Sequence, residues 1–178
     1  MQFNPYGGVA AQLAVAIVNA GPDAGPESFE NIIRAYDYRP SCEVDPVEAR
    51  ELTRWAGRLR EVFSEPAVER RVLLVNELLA TVAAPPRISQ HDGRAPHFHY
   101  ADDDAPLVDR IKASTAAGLA HALCEDTHRI GLCARSHCDV VYIDTSRNGR
   151  RRFCSARCAN RTHVADHRNR RKGGADGF

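Results

Sequence analysis

The chain has 178 residues, of which 43% are hydrophobic and 26% charged, with a formal net charge of +1. This is ordinary globular composition and excludes wholesale disorder. No apolar run approaches the roughly 18 residues of a membrane span, and the longest, Val9 to Val18, is interrupted by Gln12. That run lacks the basic flank and cleavage site of a secretory signal, so a cytoplasmic protein is expected.

In chain order, Val9 to Asn19 reads as a buried first helix, broken by the glycines and proline of residues 21–25. A short second helix is expected over Phe29 to Ala35, before Pro40. Asp45-Pro46-Val47-Glu48 has the composition of a helix start: an N-cap acid, proline at the first position and an acid at the third. Leu52, Trp55, Leu59 and Phe63 then recur every three or four residues along one face. Ser64-Glu65-Pro66 opens a further helix with Val68, Val72, Val75, Leu78 and Leu79 inward. After Pro85-Pro86, the Asp92-Gly93 pair between two short extended runs signals a β-hairpin. Asp102 to Asp104 are read as the cap of a helix through Leu107, Ile111, Leu119 and Leu123. The expected fold is mainly α with a small hairpin (α+β).

Charge divides the chain. Residues 1–128 carry 12 Arg or Lys against 19 Asp or Glu, a net −7, whereas residues 129–172 carry 12 against 3, a net +9. Such asymmetry predicts two units, the second facing an anionic partner. The cysteines fall the same way: Cys133, Cys138, Cys154 and Cys158 are spaced C-x4-C-x15-C-x3-C. Two close pairs joined by a linker of this length form a tetrahedral zinc set in a cytosolic chain, where disulfides are rare. Val140 to Ile143 reads as a strand with Arg151 to Phe153 as its partner, and a helix begins near Ser155. A pair on a hairpin and a pair at a helix start make a treble-clef-like finger. A unit of this size has too small a core to fold alone, so one structural zinc has a clear role.

The segment Asp144 to Gly149, followed by Arg151-Arg152-Phe153-Cys154-Ser155 and by Cys158-Ala159-Asn160-Arg161 on a basic helix, resembles the CGNR-type zinc finger. That finger ends the bacterial ABATE-domain family of stress-related transcription regulators. Leu13 to Asn19 resembles the family's opening helix, and His97-Phe98-His99 with Ala105-Pro106-Leu107 resembles its middle. Ala159 replaces the family's glycine, Ala16 and Ala20 replace an acid and a threonine, and the second cysteine pair is one residue closer than usual. The resemblance implies an ABATE-like helical domain over 1–128, a zinc-binding basic module over 129–172 and a tail over 173–178. It also implies a regulator that binds nucleic acid, with duplex DNA favoured.

Arg157, Arg161, Arg168 and Arg171 share one helical face, and Arg147, Asn148, Arg150, Arg151 and Arg152 lie on the turn and strand before it. Arginine forks suit phosphate clamping and base contact. A zinc-stabilised protein-interaction module is the alternative, and RNA binding a third reading. In the N-terminal unit, His97 and His99 share a strand face and are candidates for a ligand or metal. A small-molecule effector and a homodimer fit that unit. His137, His163 and His167 lie near the cysteines without being needed by a saturated four-thiolate ion. Cys124 is expected in the core, and Cys42 outside it. The sequence has no nucleophile–base pair, phosphate loop or zincin motif, so catalysis is not expected.

Overall fold

A computed structural model describes residues 5–36, 43–82, 84–90, 95–102 and 104–173; the side chains of residues 5–7 and 167–173 lie outside that description. The expected Asp92-Gly93 turn, Cys42 and Asp103 also lie outside the described residues. The elements are α1 (Pro5–Ala20), α2 (Pro26–Ala35), α3 (Pro46–Ser64), α4 (Val68–Thr81), β1 (Arg87–Ser89), β2 (His97–His99), α5 (Leu107–Glu125), β3 (Ile130–Leu132), β4 (Val141–Ile143) and α6 (Ala156–Gly173). This is a mostly helical N-terminal region, two small antiparallel hairpins and a C-terminal helix beside a cysteine cluster.

The central event is the packing of α1 on α5. At Gly118 a Cβ would lie 2.5 Å from the Ala11 nitrogen and 2.6 Å from the Ala10 carbonyl carbon, so the two backbones meet where a side chain is missing. Helix α1 stops at Gly21, whose φ of +87° takes the left-handed turn that ends a helix without a Cβ penalty. Helix α3 starts as its sequence demands. The Asp45 carboxylate accepts from the Val47 and Glu48 amides, and the Glu48 carboxylate accepts from the Asp45 amide. Leu52, Trp55, Leu59 and Phe63 are all buried, and the Trp55 indole donates to the Thr115 hydroxyl at 2.9 Å.

Several expectations are corrected. Ser64 closes α3, and α4 begins at Val68 with Ala67 as its cap. Val72 is 40% exposed; its neighbour Arg71 turns inward instead, donating to the Glu65 and Thr127 carbonyls. Neither Asp102 nor Asp104 caps α5. Pro106 does, because its extended ψ of 144° holds the chain out of the helix until Leu107, while the Asp102 carbonyl closes a turn onto Ala105. Cys124 is exposed, since Ala122 and Leu123 take the inward positions of the last turn.

The partner of β4 is β3, not Arg151 to Phe153: Ile130 pairs with Ile143, Gly131 with Tyr142 and Leu132 with Val141. Residues 151–153 cannot form a ladder because their polar groups are already taken. The Arg151 amide donates to the Asp144 carboxylate at 2.7 Å, and the Arg152 carbonyl accepts from Ala134 at 2.8 Å.

Ile130, Val141 and Ile143 are buried in the same cluster as Ala14, Trp55, Leu59, Val75 and Leu119. The core therefore runs without interruption from the helices into the second hairpin. Polar clamps reinforce the join. The Asn19 amide both donates to the Val141 carbonyl and accepts from its N–H, and Arg60 donates to the carbonyls of Asp139 and Val18. In contrast, α6 makes at most slight contact with the other helices and strands among the described residues.

Candidate metal centre and basic surface

Cys133 lies just past β3, Cys138 just before β4, Cys154 ahead of α6 and Cys158 in its first turn. The β3–β4 ladder brings the first pair together; the anchored segment before α6 delivers the second. All four Sγ atoms lie within 4.8 Å of one another. The individual separations include 3.8 Å for Cys138–Cys154, 3.9 Å for Cys138–Cys158 and 3.4 Å for Cys154–Cys158. A tetrahedral zinc with bonds of about 2.3 Å places its sulfurs about 3.8 Å apart. The cluster therefore fits a single structural zinc site held by four cysteines.

The surroundings favour thiolates. The Cys154 amide donates to Cys133 Sγ at 3.3 Å, and the Cys158 amide is held by the Ser155 hydroxyl. Hydrogen bonding from Ser155 and then Cys154 brings the Cys158 thiol down to about 6. Burial, with the neighbouring Cys158, pushes Cys154 up to about 12. A backbone hydrogen bond from Val140 lowers the Cys138 thiol as well, so Cys138 and Cys158 ionise readily while Cys154 resists. A divalent ion removes that resistance. Arg135, which sequence reading overlooked, adds a fixed positive charge beside the Cys138 and Cys158 sulfurs, which raise its pKa in turn. Its position between two ligands is the signal that marks it. His137 is exposed, with a φ of +58°, and His163 meets the edge of Phe153 at 5.9 Å. Neither joins the cysteine set. The His167 side chain lies outside the described residues.

Asp144 is the second overlooked residue. It is 1% exposed, and its carboxylate accepts from the Ser146 and Arg151 amides at 2.9 and 2.7 Å. Burial by itself would raise its pKa, but these hydrogen bonds, the Ser146 side chain and the Arg129 charge outweigh burial and hold it below the usual carboxylate range. Arg129 also donates to the carbonyls of Asp144 and Ser146 at 2.8 Å. The loop closes at Gly149, φ +59°, where a Cβ would stand 3.2 Å from the Asp126 carboxylate. An aspartate two residues before a serine in a turn is the local signal for such an anchor.

From this fixed loop Arg147, Asn148 and Arg150 point to solvent, as do Arg152, Arg157 and Arg161. Arg152 leans over Phe153 at 5.9 Å. Arg151 differs. Its guanidinium folds over the Tyr142 ring at 5.2 Å and donates to the carbonyls of Phe153, Ile143 and Cys154. The backbone of α6 carries Arg168 and Arg171, whose side chains are outside the described residues. His97 and His99 stand side by side on β2, with ring centroids 4.9 Å apart.

A cleft of about 250 Å³ separates α1 from the second hairpin, lined by residues that include Gln12, Asn19, Tyr142, Thr145 and Arg151. Among the described residues, no helix is long and apolar enough to cross a membrane.

Residues 129–171 match the family described as CGNR zinc finger. No curated protein matches the chain. The chain thus carries a CGNR-type zinc-finger domain over those residues.

Proposed function

From the premise of a CGNR zinc finger over residues 129–171, we propose that the protein is a DNA-binding transcriptional regulator of the bacterial cytoplasm. The finger type is generally associated with such regulators. The observation that carries the reading is the free presentation of positive charge. The pinned loop holds Arg147, Asn148 and Arg150 outward, and α6 leaves the metal centre with Arg157 and Arg161 exposed. A helix standing clear of its own protein can enter a major groove, and arginine forks on the adjoining loop can clamp phosphates.

In this mechanism Cys133, Cys138, Cys154 and Cys158 would hold a zinc ion that ties the start of α6 to the β3–β4 hairpin, and would so set the direction in which the basic helix leaves the body. The chain's own residues do the binding: Arg147, Arg150, Arg152 and Arg157 neutralise phosphates, while Asn148 and Arg161 approach base edges. A closed four-thiolate site has no open coordination position, so the finger's part in this reading is structural. A small effector would lodge in the cleft between α1 and the second hairpin, where it touches both the helical region and the finger. The helical region would also provide the surface for a homodimer.

The test is binding of the zinc-loaded chain to random duplex DNA by fluorescence anisotropy across a salt series. Four such phosphate contacts give a log–log slope of about −4. No binding at low salt would overturn the reading and direct attention to a protein partner for the basic face. Tighter binding to structured RNA than to duplex DNA would replace DNA as the target.

A further inference from the structure

The first hairpin contains an arrangement that neither the finger nor its DNA reading uses. In the β1–β2 register Ile88 faces Phe98, and these two side chains are 71% and 58% exposed. The opposite face of β2 therefore carries His97 and His99, both half-buried, with their Nε2 atoms 3.0 Å apart. His97 Nδ1 lies 3.0 Å from the Ala95 carbonyl. A carbonyl can only accept, so that nitrogen bears the ring proton and Nε2 presents a lone pair. Anchoring one imidazole nitrogen on a backbone carbonyl is how metal-ligating histidines are oriented. His99 Nε2 can therefore donate its N–H to His97 Nε2 across this distance, and the two nitrogens converge on one point that a proton occupies and a metal ion can take.

We propose that His97 and His99 form a second metal site, a bidentate imidazole pair for a divalent transition ion that prefers right-angle nitrogen ligation, Ni(II) or Cu(II). The separation selects the ion. With metal–nitrogen bonds of about 2.0–2.1 Å, nitrogens 3.0 Å apart subtend roughly 95° at the metal, whereas a tetrahedral site needs about 3.3–3.4 Å. Right-angle nitrogen ligation suits square-planar or octahedral ions, and imidazole is a ligand of matching softness. The ion takes the place of the bridging proton, which moves by way of solvent to His99 Nδ1, so that both rings bind as neutral imidazoles. The nearby cation does not forbid this: Arg87, across the ladder from His99, has Asp102 as a counter-ion at 3.5 Å. The chemistry differs from that of the four cysteines, which form a soft, closed, tetrahedral set.

The zinc-loaded full chain is titrated with Ni(II), a probe the thiolates do not reduce, and binding is followed calorimetrically. One Ni(II) is expected to bind in addition to the retained zinc. His97→Ala and His99→Ala should each weaken it at least tenfold, while His121→Ala, whose ring instead meets the Tyr100 hydroxyl, leaves it unchanged. Should the variants lose the hairpin, the wild type answers alone. Paramagnetic broadening by Ni(II) must centre on the rings of His97 and His99 and on their neighbours Ser89 and Ala95. Equal affinity in the folded double variant, or broadening centred elsewhere, overturns the site. DNA binding is not needed for either readout.

Discussion

Asn19 and Val141 hold each other by both ends of an amide. Asn19 Nδ2 donates to the Val141 carbonyl at 2.9 Å, and the Val141 N–H donates to Asn19 Oδ1 at 3.0 Å. The last turn of α1 thereby acts as an extra strand edge for β4. Val141 is buried, so Asn19→Ala leaves its backbone groups poorly served and is expected to cost about 1–3 kcal/mol. Asn19→Asp should cost at least as much, because a carboxylate accepts from the N–H but opposes the carbonyl. Urea denaturation of both variants checks this; an aspartate variant as stable as wild type would contradict it.

Gly118→Ala sets two effects against each other. Alanine favours a helix interior by about 1 kcal/mol over glycine. The new methyl would, however, sit within 2.6 Å of backbone atoms of Ala10 and Ala11, which cannot rotate away. Overpacking of this kind costs about 3 kcal/mol, so the net effect is destabilising. Thermal denaturation should show a lowered midpoint.

Metal removal should act on the ends of the molecule unequally. Helix α6 is held through Cys154 and Cys158, whereas β3 and β4 are also held by the core. An isolated basic helix of this length is marginal in water. Chelation under reducing conditions is therefore expected to remove the far-ultraviolet dichroism of α6 first, while the near-ultraviolet signal of buried Trp55 persists. Simultaneous loss of both signals would show the core to depend on the ion.

Two arginines six residues apart should separate stability from binding. Arg151→Ala removes the hydrogen bonds to three carbonyls and the packing on Tyr142, and is expected to cost about 2 kcal/mol. Arg157→Ala removes only an exposed charge, leaving stability within about 0.5 kcal/mol. In the anisotropy assay it should flatten the salt slope by about one unit. An unchanged slope would place Arg157 outside the interface.

Asp144 gives a pH signature. Its folded pKa lies below the unfolded value of about 3.9, so its contribution is present in full above that value and is lost only as pH falls through the folded pKa. The stability gap between wild type and Asp144→Asn, about 2 kcal/mol from charge-assisted hydrogen bonds, should stay constant from pH 8 to pH 5. A gap that closes within that range would mean the carboxyl is protonated there.

Sequence spacing reveals what is local. The α3 start is written in four consecutive residues, and the cysteine pairs lie within one short linker, so both could be read directly. The partner of β4 could not. Ile130-Gly131-Leu132 is too short for periodicity to register, and its pairing is decided by an Asp144 carboxylate that occupies the competing segment. Nor does composition distinguish Arg151, folded over Tyr142, from Arg147, which points to solvent. That distinction depends on three carbonyls brought together by the tertiary fold. Arg135 and Asp144 carry local signals, a place between two ligands and an aspartate two residues before a serine, but the Cys158 sulfur and the Arg151 amide that they meet take position only on folding.

The shared burial of Ile130, Val141 and Ile143 also bears on portability. A finger that folds around its ion alone can be cut out, strung in tandem or grafted onto another protein. Here, excision at residue 129 would strip those three side chains of their cover and remove Asn19 and Arg60 from the hairpin they grip. The unit that can be inherited or transplanted is therefore larger than the finger and includes the helices on which it rests.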